Sequence, residues 1–263
     1  MSRLGGDRAY LGYRGHDSAT EFGGFFNPRM AALPGHVVDA LHHGPQADQV
    51  LLEFDDAATL LDDGYHVTEN GYGSVGAGAF QVSVRTDMPG VTPQMWDWWF
   101  GWHGSDSRRY KLWHPRAHAS VRWADGGGDG HYVGRTSLVE EYLGSKYTKA
   151  AIRFVAPEEV GMGAVRLGES VAVCARLGSS ELPVDIGWLI HHVRATPAGA
   201  EMRSRFWMGG PWVAVRRGNP LTDAAVRPVA TRQLPDPRDL LVHCAEEMNH
   251  LAAFLPQLHA RLA

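Results

Sequence analysis

The last segment of the chain, residues 236–262, is its clearest element and predicts one long helix. Asp236 is a favourable N-cap and Pro237 suits the first helical position, whereas Pro256 predicts a kink. At about 100° per residue, apolar side chains gather on one stripe of this helix: Leu240, Cys244, Leu251, Phe254 and Leu258. A helix with such a stripe needs a second layer of structure to cover it.

The chain before this helix supplies that layer as a series of short predicted strands. Phe80, Val82 and Val84 alternate with polar residues, as expected of a half-buried strand. Thr92, followed by proline, marks the start of a short Trp-rich helix over residues 93–102. The predicted fold class is therefore α+β, an antiparallel sheet wrapped around the C-terminal helix. The other predicted strands cover residues 118–123, 131–142, 150–155, 170–175, 186–194, 201–208 and 212–216.

The N-terminal residues 1–63 show no clean period and are predicted to form an arm that precedes a domain of residues 64–263. The arm is rich in glycine and aromatic residues, which is unusual for a solvated tail. We therefore expect it to pack on another surface, such as a second subunit, and we expect a homodimer. Within the domain, residues 71–78 are predicted as a Gly-rich turn and residues 217–235 as a polar, proline-bearing connection.

Composition argues against several classes of function. The 263 residues carry 25 Lys and Arg against 29 Asp and Glu, a formal net charge of −4, which argues against a nucleic-acid partner. The sequence has no run of about 18 apolar residues, so no membrane span is predicted. Its start lacks the apolar region of a secretion signal. Two cysteines cannot build a disulfide framework, and together these features predict a cytoplasmic protein.

Two residues of metal-ligand type share the predicted buried stripe of the C-terminal helix. His243 and Glu247 are spaced i, i+4, so their side chains meet on adjacent turns. A carboxylate that points into a core is costly unless something compensates its charge. A buried His–Glu pair that satisfies itself is one solution, and a divalent metal held by both side chains is the other.

The middle of the chain holds further candidates of the same residue types. His114 and His118 lie in one block, but the residue before Pro115 is biased to extended conformations, so the two histidines need not face the same way. Glu140 and Glu141 are adjacent, and adjacent side chains on a strand point to opposite faces. The residues alone leave open which member of each pair points inward.

Five blocks of sequence together carry a resemblance to a known family: WWFGWH (98–103), RYKLWHPRAH (109–118), YVGRTSLVEEYLG (132–144), RSRFWMGG (203–210) and HCAEE (243–247). In their order and spacing they resemble the family of 2,4-diacetylphloroglucinol hydrolase and phloretin hydrolase. The resemblance spans residues 64–255 and implies a helix-grip, Bet v 1-like fold whose N-terminal extension contributes to dimer contacts. It also implies hydrolysis of a carbon–carbon bond between an acyl group and a phenolic ring.

The resemblance further implies a zinc ion held by two histidines and two glutamates. The His-x-x-x-Glu pair of the long helix is here His243 and Glu247. The first histidine is assigned to His118, with His114 as its competitor, and the first glutamate to Glu141 instead of its neighbour. Ligation by His and Glu suits zinc and does not exclude manganese or iron.

Two catalytic residues follow from the same resemblance. Tyr110, eight residues before His118, corresponds to a tyrosine of the family's site. A later strand supplies a histidine, His191 or His192, and His192 is the preferred catalytic base. The family's asparagine shortly after the first histidine ligand has no counterpart here, because Val121 occupies that neighbourhood.

The expected substrate is a small aromatic ketone or polyphenol. Trp99 and Trp102 are predicted to wall an apolar pocket for its flat ring, with simple core packing as the alternative, and His114 is a third candidate contact. Because the asparagine is missing, a cyclase or decarboxylase with the same metal stays open as an alternative function. A carrier without chemistry also stays open, although a carrier would not need a buried Glu247 beside His243.

Overall fold

Nine strands form one antiparallel sheet in the part of the chain that the computed structural model describes, residues 11–76, 78–163, 165 and 168–263. The strands are β1 (Gly71–Ser74), β2 (Ala79–Pro89), β3 (His118–Trp123), β4 (Thr136–Leu143), β5 (Lys146–Val155), β6 (Ser170–Ser179), β7 (Val184–Thr196), β8 (Gly199–Gly209) and β9 (Ala214–Val215). They follow the order β1-β2-β8-β7-β6-β5-β4-β3, and β9 pairs with the start of β7. Strand β1 occupies the first half of the segment predicted as a Gly-rich turn.

Six α-helices accompany the sheet in these residues: α1 (Gly35–His43), α2 (Pro93–Trp102), α3 (Ser107–Trp113), α4 (Pro220–Thr231), α5 (Pro237–Ala252) and α6 (Leu255–Leu262). The Thr92 hydroxyl accepts a hydrogen bond from the Met95 amide at the start of α2. The Asp236 carboxylate accepts one from the Arg238 amide at the start of α5. Both helices thus begin where their N-caps predicted. Of the helices described, none is both long and apolar enough to cross a membrane.

Helix α5 lies inside the curve of the sheet. It packs against β2 near one edge of the sheet and against β4 near the other. Its side chains Leu241, Cys244, Met248 and Leu251 are fully buried, and they join the inward-facing side chains of the strands in one hydrophobic core. The structure therefore has the predicted α+β helix-grip arrangement, in which two layers bury a common interior.

Two segments differ from the sequence-based expectation. The C-terminal helix breaks after Ala252, and Pro256 lies in the first turn of α6. Proline is tolerated there because a backbone N–H in the first turn makes no hydrogen bond within the helix. Residues 217–235, predicted as a connection, contain α4. Asn219 caps α4 by accepting hydrogen bonds from the amides of Leu221 and Thr222. This Asn-Pro start is the same signal that predicts α5.

A second layer covers the convex face of the sheet. It is built by residues 52–61 and 160–162, and the indole N–H of Trp207 on β8 donates to the carbonyl of Leu52. The described part of the predicted arm thus packs on its own chain, and its role in dimer contacts stays a prediction. The layer and the outward side chains of the sheet form a second core: Ala57, Leu60, Val160, Met162, Cys174, Ile190 and Trp207.

A buried ion cluster lies beside this second layer, and its member Arg203 on β8 donates to the Leu60 carbonyl at 2.9 Å. The Glu69 carboxylate accepts hydrogen bonds from Arg203 and Arg205, each at 2.7 Å, and no member of the trio is more than 9% exposed. Burial favours the uncharged acid, but the two guanidiniums overcome it and lower the pKa of Glu69 to about 2. The carboxylate is therefore charged in the folded protein, where it balances buried positive charge.

Replacing Glu69 with Gln is expected to lower the free energy of unfolding by about 3 kcal/mol at neutral pH, because the buried guanidiniums lose their counter-charge. The folded pKa lies below the unfolded value of 4.5. The stabilisation by Glu69 is therefore complete above about pH 5 and fades as the pH falls towards 2. Urea unfolding of wild type, Glu69→Gln and the exposed control Glu53→Gln measures the effect. Equal stability of the two variants would contradict this role of Glu69.

Candidate metal centre

Four ionisable side chains converge between the sheet and α5. The ligand atoms of His118, Glu141 and His243 all lie within 4.8 Å of one another. Glu141 Oε2 is 3.5 Å from His118 Nε2 and 3.7 Å from His243 Nε2. Glu247 adjoins this cluster, with its Oε2 3.3 Å from the first nitrogen and 3.7 Å from the second. No side chain of the four is more than 12% exposed.

The register of β3 and β4 explains how the mid-chain pair meets. His118 pairs directly with Glu141, and the register then shifts so that Ser120 pairs with Glu140. Directly paired residues share one face of a sheet, so His118 and Glu141 point inward together. Glu140 points away and accepts a hydrogen bond from Tyr147 Oη at 2.6 Å.

Helix α5 brings the other two residues from the opposite side. His243 and Glu247 lie one turn apart, and both are on the buried face of α5, as the helical wheel predicted. The neighbouring Glu246 points away from the cluster, and its side chain is 27% exposed. One strand pair and one helix thus contribute two residues each.

The His118 ring is held in one orientation. Its Nδ1 lies 2.9 Å from the Tyr110 carbonyl oxygen, which can only accept, so Nδ1 carries the proton. Its Nε2 is then an acceptor, and it is buried without a hydrogen-bond partner among the described residues. The Tyr110 ring stacks on the imidazole with 3.7 Å between the ring centroids. A metal ion satisfies a lone pair oriented in this way.

Burial also sets the protonation of the cluster. It lowers the pKa of His118 well below its usual value, and the nearby histidines add to this effect. It raises the pKa of Glu141 to about 7, although the hydrogen bond from Tyr110 Oη opposes the change. The pKa of Glu247 rises well above its usual value, because repulsion by Glu141 adds to burial. A bound cation would favour the charged carboxylates over the neutral acids.

The dimensions of the cluster suit one divalent ion. Zinc binds histidine nitrogen and carboxylate oxygen at about 2.0–2.2 Å, so two ligands of a tetrahedral ion lie about 3.4 Å apart. The four nitrogen–oxygen distances in the cluster range from 3.3 to 3.7 Å and match that separation. The donor set, its spacing and the orphaned His118 lone pair therefore fit a metal ion.

An apolar cavity opens onto the cluster from within the core. Glu141, His243 and Glu247 belong to its wall, as do the polar side chains of His103, Tyr110, Ser137, Thr148, His191 and Gln233. An apolar cavity with a few converging polar groups is the usual form of a small-molecule site. The apolar part of the wall comes mainly from Phe100, Trp113, Val139, Leu143, Ile152, Phe154, Leu189, Phe206, Met208 and Leu240.

Comparison with known proteins places the chain in a family. The family model of the DAPG hydrolase PhiG domain matches residues 51–260. The chain belongs to the DAPG hydrolase family. A 2,4-diacetylphloroglucinol hydrolase of Pseudomonas protegens is 29% identical, over 89% of this chain and 82% of its own. A phloretin hydrolase of Eubacterium ramulus is 30% identical, over 90% of this chain and 88% of its own.

Solved structures of other proteins resemble this DAPG hydrolase family member more distantly. Major latex-like protein 151 of Panax ginseng is 12% identical, with a TM-score of 0.38, over 68% of this chain and 97% of its own. Norcoclaurine synthase of Thalictrum flavum is 13% identical, with a TM-score of 0.34, over 76% of this chain and 95% of its own.

The structure separates the two strand histidines that are candidates for the catalytic base of this family member. On β7, His191 lines the cavity, whereas His192 points to the convex face of the sheet. His192 there lies against the backbone of Leu60 and near the Arg203 guanidinium in the second layer. Adjacent residues of a strand take opposite faces. Of the two histidines that the sequence offered, the structure thus places His191 in the cavity wall and His192 outside it, and a catalytic role for either stays a prediction.

The two tryptophans expected to contact the substrate do not line the cavity. Trp99 is fully buried beneath His103, with 5.3 Å between ring centroids. Trp102 turns the other way, and the Arg109 guanidinium lies over its ring at 4.2 Å. Phe100 is the residue that α2 directs into the cavity. Core packing, the alternative reading, accounts for Trp99.

His114 also lies outside the cavity wall. Its ring packs behind His243, with 4.9 Å between centroids, and its Nε2 lies 3.2 Å from Glu246 Oε2. It is not part of the cluster, in which His118 is the mid-chain histidine, and it does not reach the cavity. The expectation that His114 contacts substrate is therefore corrected: it supports the ring of a ligand-type residue.

Phe100, His103 and Trp113 are among the cavity-wall side chains that the sequence did not single out. All three lie within the WWFGWH and RYKLWHPRAH blocks. The family resemblance therefore pointed to these segments but not to the individual residues. Val121, at the place of the family's asparagine, is buried in the core and is not part of the described cavity wall.

Replacing Glu141 with Gln is expected to lower the zinc content at least about tenfold. A neutral amide is a poor zinc ligand, and its loss of negative charge leaves the charge of the ion less fully compensated. The matched control is Glu140→Gln, one residue away on the opposite face of β4, which should keep the wild-type zinc content. Plasma mass spectrometry of dialysed protein measures zinc per chain. Equal zinc content in the two variants would contradict the cluster as the metal centre.

Proposed function

We propose that this chain is a metal-dependent hydrolase that cleaves the carbon–carbon bond between an acyl group and a phenolic ring of the phloroglucinol type. The observation that carries the proposal is the cluster of His118, Glu141 and His243, of which Glu141 and His243 line an apolar cavity. Its support also includes the relatives, which are named 2,4-diacetylphloroglucinol hydrolase and phloretin hydrolase. The proposed substrate is a small aromatic ketone, and a homodimer and a cytoplasmic location stay predictions.

His118, Glu141, His243 and Glu247 would hold the ion, and two imidazoles with two carboxylates suit zinc. The same ligand set accommodates manganese or iron, so the choice of zinc rests on the family resemblance. When bound, zinc supplies Lewis-acid polarisation of a substrate oxygen. The rest of the chemistry falls to the side chains around it.

The proposed reaction adds one water across the aryl–acyl bond. The hydroxyl of water goes to the acyl carbon, and a proton goes to the ring carbon, so a carboxylic acid and a deacylated phenol are released. Protonation of the ring carbon gives the ketone tautomer, and the electron pair of the broken bond then moves towards the ring oxygen instead of remaining as a carbanion. The site must therefore place one proton acceptor and one proton donor beside the substrate.

His191 is the proposed acceptor for the proton of the attacking water. It lines the cavity, and burial lowers its pKa to about 3, so its imidazole is neutral at neutral pH. In the tautomer whose Nδ1 donates to Ser204 Oγ, Nε2 is the acceptor. Its Nδ1 lies 2.7 Å from Ser204 Oγ, which holds the ring in place. A positioned imidazole of this kind contributes about a hundredfold or more to a rate.

Tyr110 is the proposed proton donor. Burial, together with the neighbouring Glu141 carboxylate, raises the pKa of its phenol well above the usual value, so it keeps its proton. Its Oη donates a hydrogen bond to Glu141 and lies in the cavity wall. Because a phenol has one O–H, Tyr110 donates to a carbonyl or phenolic oxygen of a bound substrate by exchanging its hydrogen bond to Glu141 for one to that oxygen.

The zinc-loaded protein is expected to release a carboxylic acid from an acylphloroglucinol, with one oxygen of the acid coming from water. Incubation in isotope-labelled water with a panel of acylphloroglucinols, phloretin and simple aryl ketones, followed by mass spectrometry, measures this. Release of carbon dioxide instead would indicate a decarboxylase, and an isomeric product a cyclase. Binding of the panel without any product would indicate a carrier and contradict the hydrolase.

Two adjacent histidines give a matched test of the proposed base. His191→Ala is expected to lower kcat about a hundredfold or more while keeping bound zinc, because the proton acceptor is lost and the ligands remain. His192→Ala changes the neighbouring residue on the convex face and should keep kcat within about threefold of wild type. Retained turnover in His191→Ala would remove this residue from the mechanism.

A further inference from the structure

His103 lines the cavity but has no role in the reaction described so far. It follows α2 directly, in a short 3-10 turn, and its side chain is almost wholly buried at 3% exposure. The cavity wall around it is aromatic, with Phe100 and Trp113 packed edge-on to the imidazole. A polar ring in such surroundings is costly unless each of its nitrogens has a partner.

The hydrogen bond of one nitrogen decides what the other nitrogen can do. His103 Nδ1 lies 2.9 Å from the carbonyl oxygen of Trp99, and a carbonyl only accepts, so Nδ1 carries the proton. Burial lowers the pKa of His103 to about 4, so the ring carries no second proton at neutral pH. Its Nε2 is therefore an acceptor, on a ring that lines the cavity.

Stacked rings fix the direction of this acceptor and its place relative to the metal centre. Trp99 stacks on one side of His103 at 12° between the ring planes, and Tyr110 lies on the other side at 24°. Tyr110 in turn stacks on His118. The Tyr110 ring thus lies between His103 and His118, so a compound anchored at the metal centre would meet His103 with the side that faces away from the metal.

We propose that His103 Nε2 accepts a hydrogen bond from a ring hydroxyl of the substrate, on the ring edge that lies away from the acyl group. This assignment rests on the proposed function. It makes His103 a specificity-determining residue that selects free phenols: a phenolic hydroxyl donates to the neutral nitrogen, whereas a methyl ether or a bare ring carbon leaves that nitrogen unpaired in the cavity.

Two substitutions separate the acceptor from the structural hydrogen bond. In His103→Asn, the amide can still donate to the Trp99 carbonyl, but the side chain is too short to offer an acceptor at the place of Nε2. In His103→Gln, the longer side chain can return an amide oxygen to that place. The zinc content and thermal stability of both variants show whether the fold and the metal centre are intact.

The probes are three 2,6-dihydroxybenzamides, whose amide carbonyl resists hydrolysis. One carries the hydroxyl opposite the amide, the second a methoxy group there, and the third a hydrogen. Calorimetry on zinc-loaded wild type is expected to show at least about tenfold tighter binding of the hydroxyl compound than of either analogue. His103→Asn should bind the hydroxyl and hydrogen compounds within about twofold of each other, and His103→Gln should recover part of the preference.

The outcomes distinguish this assignment from the proposed function. An undiminished preference in His103→Asn, in a protein that cleaves aryl ketones, would overturn the role of His103 alone. Loss of the preference in that variant supports the role even if no ketone is cleaved, in which case the hydrolase proposal fails separately. Wild-type affinity that is equal for the hydroxyl and hydrogen compounds, or binding of neither, would overturn the role of His103 directly.

Discussion

Two carboxylates buried beside each other are the constraint on which the rest of the structure depends. Glu141 and Glu247 both approach His118 and His243, and the loss of water around them raises the pKa of both acids. One proton neutralises the charge of only one carboxylate, whereas one divalent ion compensates the charges of both and also binds the His118 lone pair. The cavity, the strand register and the helix position are all arranged about this group of charges.

Rigid elements hold the charges in place. Alternation along β4 turns Glu141 inward and Glu140 outward, and the direct pairing of His118 with Glu141 puts both on the inner face. Helix α5 is fixed because the sheet curves around it. The second layer on the convex face is joined to β8 by hydrogen bonds from Arg203 and Trp207 to the carbonyls of Leu60 and Leu52. A site whose ligands sit on strands and a packed helix keeps its geometry better than one built on loops.

Local signals predicted the parts of this structure that local physics determines. Caps and a helical wheel located α5 and its inward-facing pair, because a cap acts within one turn and a wheel within one helix. The sequence does not decide between His191 and His192 because both faces of β7 are buried: Ile190 belongs to the outer core and Leu189 to the inner core. Alternation of polar and apolar residues usually shows which side chains of a strand point into the core, and a strand buried on both faces lacks it. The sequence also does not show which tryptophan of α2 faces the cavity, because that helix is apolar on several sides.

Anomalous X-ray diffraction from crystals of the zinc-loaded protein, recorded on both sides of the zinc absorption edge, tests the central claim most directly. The account predicts one strong peak per chain, at about 2.0–2.2 Å from His118 Nε2, His243 Nε2 and carboxylate oxygens of Glu141 and Glu247. Zinc-loaded crystals with no peak at this cluster, or with zinc bound only at surface histidines, would contradict it.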